Sequence, residues 1–224
     1  MKTFPTDKEA REEIIEIGRR MYERGYVASN DGNISVKVSD HEIWATPTGV
    51  SKGFMTEDML VKLDLDGHVL KGTHKPSSEI RMHLCVYREC PDIGGVTHAH
   101  PLFGTAFACA GLPLEGRILP EGVVQLGVVP CAKTAIPGTE EVPESIVPYL
   151  HDYNAVLLGN HGVLTWGDTA MQSYMRLEST EFYAQILLID RYIIKKEQTF
   201  SDEQLDQLIA IREKLGIHRG GRPG

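Results

Sequence analysis

The sequence predicts an α/β fold, a single domain built as a three-layer sandwich in which a central, mostly antiparallel sheet is flanked by helices. Three observations lead there. Short apolar segments of period two, separated by turn residues, crowd the first third of the chain, the pattern of strands paired through hairpins. Apolar stripes of helical period, with capping residues at their starts, precede those strands and recur through the second half. At 224 residues, with no internal repeat and no low-complexity linker, the chain is long enough to bury one sizeable core. The expected boundaries are one domain over 1–224, with its core at about 8–195 and a carboxy-terminal helix and tail at 201–224.

The elements follow in order. Thr6 and Glu9 have capping-box spacing, and Ile14, Ile15, Ile17, Met21 and Tyr22 give a stripe that stops near Gly25. Ile34, Val36 and Val38, then Ile43-Trp44-Ala45 beyond Ser39-Asp40-His41, read as a hairpin; Leu60 to Leu65 continues the sheet, with Asp66-Gly67 turning into His68-Val69-Leu70. A helix from Ser77 or Ser78 carries Ile80, His83, Leu84 and Tyr87 and stops before Pro91, and Ile93 to His100 is a buried strand. Pro101 opens a helix to Ala110, since proline is tolerated in a first turn. Val123 to Val129 is expected as a strand, Thr139 as the cap of a helix to about Leu150, and Ala155–Leu158 and Val163–Trp166 as two short strands. Asp168 to Ile194 reads as one long helix, Ser201 with Gln204 opens a last one ending near Gly216, and the tail from Arg219 to Gly224 reads as loose.

Composition narrows the function. Acidic residues outnumber basic ones by 31 to 23, and no basic block exceeds Lys195-Lys196, which excludes a nucleic-acid partner. No apolar run suits a membrane span, and the amino-terminal stretch Met1 to Asp7 lacks a signal-peptide core, so a cytoplasmic location is expected. Cys85, Cys90, Cys109 and Cys131 contain no C-x-x-C and sit in segments that read as buried helix or strand ends, which points to reduced structural thiols.

The chemistry concentrates in His98-Ala99-His100 and Asn160-His161-Gly162. Residues two apart on a strand face the same way, roughly 6 to 7 Å apart. Two such imidazoles and a third from another strand end can meet on one divalent ion at about 2.0 to 2.1 Å, leaving the open position of a catalytic site. Asn30-Asp31-Gly32-Asn33 and Thr46-Pro47-Thr48-Gly49 offer backbone amides with hydroxyl and amide donors, and Ser77-Ser78 adds two hydroxyls at a helix start, together a plausible anchor for a phosphate or carboxylate. Glu79 follows at once. An exposed glutamate there would complement the helix dipole, whereas one facing the imidazoles would ligate the ion or carry a proton. His83 is expected to pack or bond locally.

Gly32-Asn33, Thr46-Pro47-Thr48-Gly49, Lys75-Pro76-Ser77-Ser78-Glu79, His98-Ala99-His100, Pro137-Gly138-Thr139 and Asn160-His161-Gly162, in this order over roughly residues 8 to 195, resemble the class II aldolase and adducin-head family, most of all its L-fuculose-phosphate aldolases. The resemblance implies Zn2+, or Mn2+ or Co2+ in its place, on His98, His100 and His161, with Glu79 as proton carrier and as a possible ligand when substrate is absent. It implies a small phosphorylated sugar gripped by Asn33, Thr48, Gly49, Ser77 and Ser78, and a homotetramer with active sites at subunit interfaces.

The chemistry agrees. Opening a carbon–carbon bond beside a ketone leaves an enediolate, whose charge a divalent cation stabilises, so no Schiff-base lysine is required. Aldolases of this type use a tyrosine from a neighbouring subunit; this chain has none between Tyr87 and Tyr149, and Leu119-Pro120-Glu121-Gly122 stands there, making Glu121 the candidate substitute. His218, Arg219 and Arg222 occupy the tail where the family has a second tyrosine. The expected activity is cleavage of a ketose 1-phosphate to dihydroxyacetone phosphate and an aldehyde. The alternatives are a ribulose-phosphate 4-epimerase, a decarboxylase of a phosphorylated 3-oxo acid, a methylthioribulose-phosphate dehydratase and, last, a non-catalytic adducin-like module.

Overall fold

The computed structural model describes residues 3–224; Met1 and Lys2, which begin the stretch without a signal-peptide core, lie outside it. Its centre is one eight-stranded sheet. Asn33–Lys37 (β1), Glu42–Ala45 (β2), Val61–Asp64 (β3) and Val69–Lys71 (β4) form the early antiparallel meander, joined by Gly95–Ala99 (β5), Cys131–Ala132 (β6), Ala155–Leu158 (β7) and Gly162–Gly167 (β8). Across the sheet the order is β4-β3-β2-β1-β5-β8-β7-β6, and among the described residues β6 with β7 is the single parallel pair. β5 therefore lies centrally, between β1 and β8.

Both faces are covered, which gives the expected three layers. Asp7–Glu23 (α1), Leu102–Ala110 (α3) and Ala170–Leu188 (α5) pack on one face through Ile14, Ile17, Met21, Phe107, Tyr174, Leu177, Tyr183 and Leu187. Ile80–Glu89 (α2) and Glu141–Ile146 (α4) cover the other through Met82, Leu84, Val86, Tyr87, Val142 and Ile146. Each fully buried aliphatic or aromatic side chain contributes about 1.5 to 3 kcal/mol. α1 begins as its sequence dictates: Thr6 accepts from the Glu9 N–H while Glu9 reaches back to the Thr6 N–H at 2.7 Å. Asp202–Lys214 (α6) has the same box between Ser201 and Gln204.

Several expectations are corrected. The apolar run Val123 to Val129 is not a strand: Gly122–Leu126 is a single π-helical turn, and only Val129 keeps an isolated bridge, to Leu114. Burial under α5 and α6 decides this against the strand preference of valine. Gly122 lies so close to the Tyr183 ring that a Cβ would come within 3.0 Å, and the turn closes through the Gly127 N–H on the Gly122 carbonyl.

The helix expected over Asp168 to Ile194 ends at Leu188 and finishes as a wider turn, Ile189–Ile194. The one expected from Thr139 to Leu150 is α4 followed by the 3-10 turn Val147–Tyr149. Cys109 is exposed on α3 rather than buried. The tail is not loose. Gly220 donates to the Asp152 carbonyl and accepts from the Val128 N–H, while Arg219 pairs with Asp92 at 2.8 Å and Arg222 with Asp206. These are backbone and charge contacts to distant segments, so no local apolar pattern announces them. Among the described residues, no helix is long and apolar enough to cross a membrane.

Candidate active site

Three backbone devices gather the imidazoles. His98, fully buried in β5, places Nδ1 2.9 Å from the Val163 carbonyl; a carbonyl only accepts, so Nδ1 carries the proton and Nε2 presents its lone pair. His100 lies just past β5, its N–H bonded to the Tyr26 carbonyl and its Nδ1 3.4 Å from Asp31, so its Nε2 points inward too. His161 sits in the turn between β7 and β8, which Asn160 makes possible at φ +57°. Gly162 then lets β8 approach: a Cβ there would stand 2.6 Å from both the Ala99 carbonyl oxygen and His100 Cδ2.

The result is a compact cluster. Ring centroids are 4.7 to 4.9 Å apart, and one nitrogen of each ring lies within 4.8 Å of the others. His98 Nε2 and His100 Nε2 stand 3.1 Å apart, close to the roughly 3.3 Å that a tetrahedral zinc with Zn–N near 2.0 to 2.1 Å requires. Burial, only partly opposed by Glu79, pushes His98 down to about 3, and burial lowers His100 as well, so both rings are neutral at neutral pH. Two lone pairs facing at this distance repel unless a cation or proton lies between them.

Glu79 completes the donor set. It is not exposed: Oε2 is 3.4 Å from His98 Nε2, and Oε1 is 3.0 Å from His161 Nε2, where it is buried without a hydrogen-bond donor. Burial works against its charge, but the Asn33 amide and the adjoining His161 ring outweigh it and hold the carboxyl below the usual carboxylate range. Three imidazole nitrogens and an orphaned carboxylate oxygen fit a borderline divalent cation such as zinc, manganese or cobalt.

Beside the cluster the two predicted loops meet. Pro47 bridges Pro76, with the Thr48 N–H on the Lys75 carbonyl and the Ser77 N–H on the Thr46 carbonyl. This two-residue ladder joins Thr48-Gly49 to Ser77-Ser78 around a cavity of about 110 Å³, also lined by Asp31, Asn33, Lys52, Glu79 and His100. α2 starts later than expected, at Ile80, so Ser77 and Ser78 precede the helix; Ser77 accepts from the Glu79 N–H at 3.3 Å. Both protons of the Asn33 amide are engaged, one on Glu79 at 2.8 Å and one on Ser77 at 3.2 Å. Asn33 thus aims Glu79 rather than offering a free donor to an anion.

Sequence reasoning missed the group that holds Asn33. His83, fully buried, bonds Asn33 Oδ1 through Nε2 and Ser35 through Nδ1 at 2.7 Å, and Tyr87 closes the chain on Ser35 at 2.9 Å. Burial takes His83 down to about 4 and Tyr87 above the usual phenol range, so the relay is neutral. The only signal was the four-residue spacing of Glu79, His83 and Tyr87, which puts His83 and Tyr87 on one face of α2 with Glu79 at its N-cap. Asp31 behind His100 was visible only as a turn residue. Glu121 is exposed and lines a separate cavity of about 540 Å³ with Tyr26, Glu178 and Glu181, so the structure does not bring it to the cluster of its own chain. Arg219 is pinned to Asp92, and no contact joins His218 or Arg222 to the cluster among the described residues.

Comparison with known proteins agrees with this architecture. Residues 12–188 match the family described as the class II aldolase and adducin N-terminal domain, and the chain belongs to that family. An L-fuculose phosphate aldolase of Methanocaldococcus jannaschii is 34% identical over 186 residues, covering 83% of this chain and 99% of the relative. A 3-oxo-tetronate 4-phosphate decarboxylase of Pectobacterium atrosepticum is 31% identical, covering 84% and 87%. Among solved structures, an L-fuculose 1-phosphate aldolase superposes with a TM-score of 0.85 at 27% identity, over 96% of this chain and all of the other. The L-fuculose-1-phosphate aldolase of Thermus thermophilus gives 0.75 at 26% identity, over 86% of this chain and 100% of the other. The fold is that of the class II aldolases, a family of lyases.

Proposed function

We propose that the protein is a metal-dependent aldehyde-lyase that reversibly splits a ketose 1-phosphate, L-fuculose 1-phosphate or a related deoxyketose, into dihydroxyacetone phosphate and an aldehyde. One observation carries this reading: Glu79 and His100 of the imidazole cluster line the same cavity as the Thr48-Gly49 and Ser77-Ser78 segments, so a cation site and an anion site lie one small molecule apart. His98, His100 and His161 would hold the ion, zinc or else manganese or cobalt, with Glu79 as a further ligand when substrate is absent. When bound, that ion supplies positive charge against the negative charge that grows on the ketose oxygens.

The chain does the rest. Hydroxyls of Thr48, Ser77 and Ser78 and the Gly49 amide grip the phosphate and fix the ketose relative to Glu79. Cleavage releases a hydroxyl proton on the aldehyde side and needs a proton at the carbon left behind; Glu79, ionised and aimed by Asn33, is the group that carries it. Glu121, which lines a different cavity from Glu79 and His100, would serve the aldehyde-side oxygen of a neighbouring copy in a homotetramer. The enzyme would work in the cytoplasm.

A second reading has a specific observation behind it: a relative named as a decarboxylase matches over 84% of the chain, and no tyrosine lies between Tyr87 and Tyr149. A coupled assay of ketose 1-phosphates, with and without chelator, separates the two. Chelator-sensitive formation of dihydroxyacetone phosphate is expected. Carbon dioxide from a phosphorylated 3-oxo acid, with no dihydroxyacetone phosphate from any ketose, would select the decarboxylase.

A further inference from the structure

Backbone amides, hydroxyls and side-chain amides are the donors that the sequence offers around the anion cavity. Lys52 changes that. It opens the one-turn 3-10 helix Lys52–Phe54, which α1 presses inward: a Cβ on Gly18 of α1 would come 2.5 Å from the Lys52 carbonyl oxygen, and Tyr22 stacks edge-on against Phe54 at 5.0 Å. With its backbone clamped there, the side chain runs into the protein and is 2% exposed. Its Nζ donates to the Asn30 carbonyl and the Val50 carbonyl, both at 2.7 Å, so it ties the Asn30-to-Asn33 loop to the segment after Gly49.

An ammonium has three protons, and two are placed. Among the described residues, Lys52 is the one ammonium or guanidinium lining the cavity, where it stands with the carboxylates Asp31 and Glu79 and the hydroxyls of Thr48, Ser77 and Ser78. A phosphate dianion entering beside two carboxylates needs a cation, and a buried one acts with little solvent screening. We propose that Lys52 is the buried counter-charge of the phosphate site, giving its third proton to the phosphoryl group of the substrate while its other two hold the cavity walls together. The inference rests on the phosphate reading above and adds to it the residue that selects phosphorylated over unphosphorylated ketoses. Burial, partly offset by Asp31 and Glu79, takes Lys52 down to about 8, so it is charged at neutral pH and loses its charge just above.

The test compares the metal-loaded wild type with Lys52→Met by calorimetric titration with inorganic phosphate, and by KM for a ketose 1-phosphate and for the same ketose unphosphorylated. Loss of one charged hydrogen bond predicts phosphate binding weaker by about 10- to 100-fold, a matching rise in KM for the phosphorylated ketose, and little change for the other. Equal weakening of both ketoses would make Lys52 a loop brace only and overturn the inference. Wild-type affinity for phosphate in the variant would overturn it while leaving the phosphate site standing. A wild type that binds no phosphate and treats the two ketoses alike would remove the phosphate reading itself.

A measurement on the wild type covers the case in which Lys52→Met does not fold. Lys52, lowered by burial and facing the carboxylates of Asp31 and Glu79, loses its charge between about pH 7 and 9, while the phosphate probe only gains charge. Affinity should therefore fall as pH rises through 8. A constant or rising affinity would refute the assignment.

Discussion

Gly162→Ala is the sharpest test of the metal centre, because the residue touches two of its imidazoles without being a ligand. A methyl group there would stand 2.6 Å from the Ala99 carbonyl oxygen and 2.6 Å from His100 Cδ2, each about 0.8 Å inside the ordinary contact of 3.4 Å, and 3.2 Å from His98 Cε1, about 0.2 Å inside it. Ala99 cannot retreat, since its strand is paired with β8 on one side and β1 on the other. The His100 ring must turn instead, and metal sites tolerate ligand shifts of only about 0.2 Å. We expect metal affinity to fall by about 10- to 100-fold, with an overpacking loss of about 1 to 3 kcal/mol that leaves the fold intact. The assay is competition for zinc against a chromophoric chelator, with circular dichroism confirming a folded variant. A folded Gly162→Ala protein with wild-type zinc affinity would show that these rings do not share one ion, and the metal-dependent reading would go with them.

Two further outcomes follow from the geometry. Glu79→Gln should keep phosphate affinity but lower kcat by about 10²-fold, the usual contribution of a positioned proton carrier, and an unchanged kcat in steady-state assays would remove Glu79 from the reaction. Glu13 accepts from the Met171 N–H at the start of α5, and burial raises it above its ordinary 4.5. The folded state therefore binds this proton first as pH falls, and the wild type should gain stability relative to Glu13→Gln from neutral pH down toward 4.5. Urea midpoints of the two proteins at several pH values check this; a gap that moves the other way would contradict the burial argument.

The imidazole cluster was legible because its parts are local. A strand puts His98 and His100 on one side whatever surrounds it, and Asn160 and Gly162 mark a turn tight enough to bring His161 back to the same sheet end. The meander from β1 to β4 was legible for the same reason, alternation and turn residues acting within a few positions. Glu79 could be named from its neighbours but not given a role, since whether it is exposed or faces the imidazoles depends on where α2 sits on the sheet. The His83 relay and Lys52 were not legible, because a buried polar side chain looks like any surface one until its partners, Asn33 and Ser35 for one and the Asn30 and Val50 carbonyls for the other, are folded around it.

By itself, then, the sequence determined the layers, the antiparallel meander, the helix starts at Thr6 and Ser201 and the three histidines, all of which rest on periodicity and short-range hydrogen bonding. Tertiary structure alone decided that Val123 to Leu126 coils under α5, that the polar tail is pinned by the Asp152 carbonyl and Asp92, and that Lys52 is buried against the Asn30 and Val50 carbonyls beside the cavity. In each of those places a long-range contact outweighs the local preference: burying a valine run or satisfying a buried donor contributes about 1 to 3 kcal/mol, against a few tenths for a residue's intrinsic leaning.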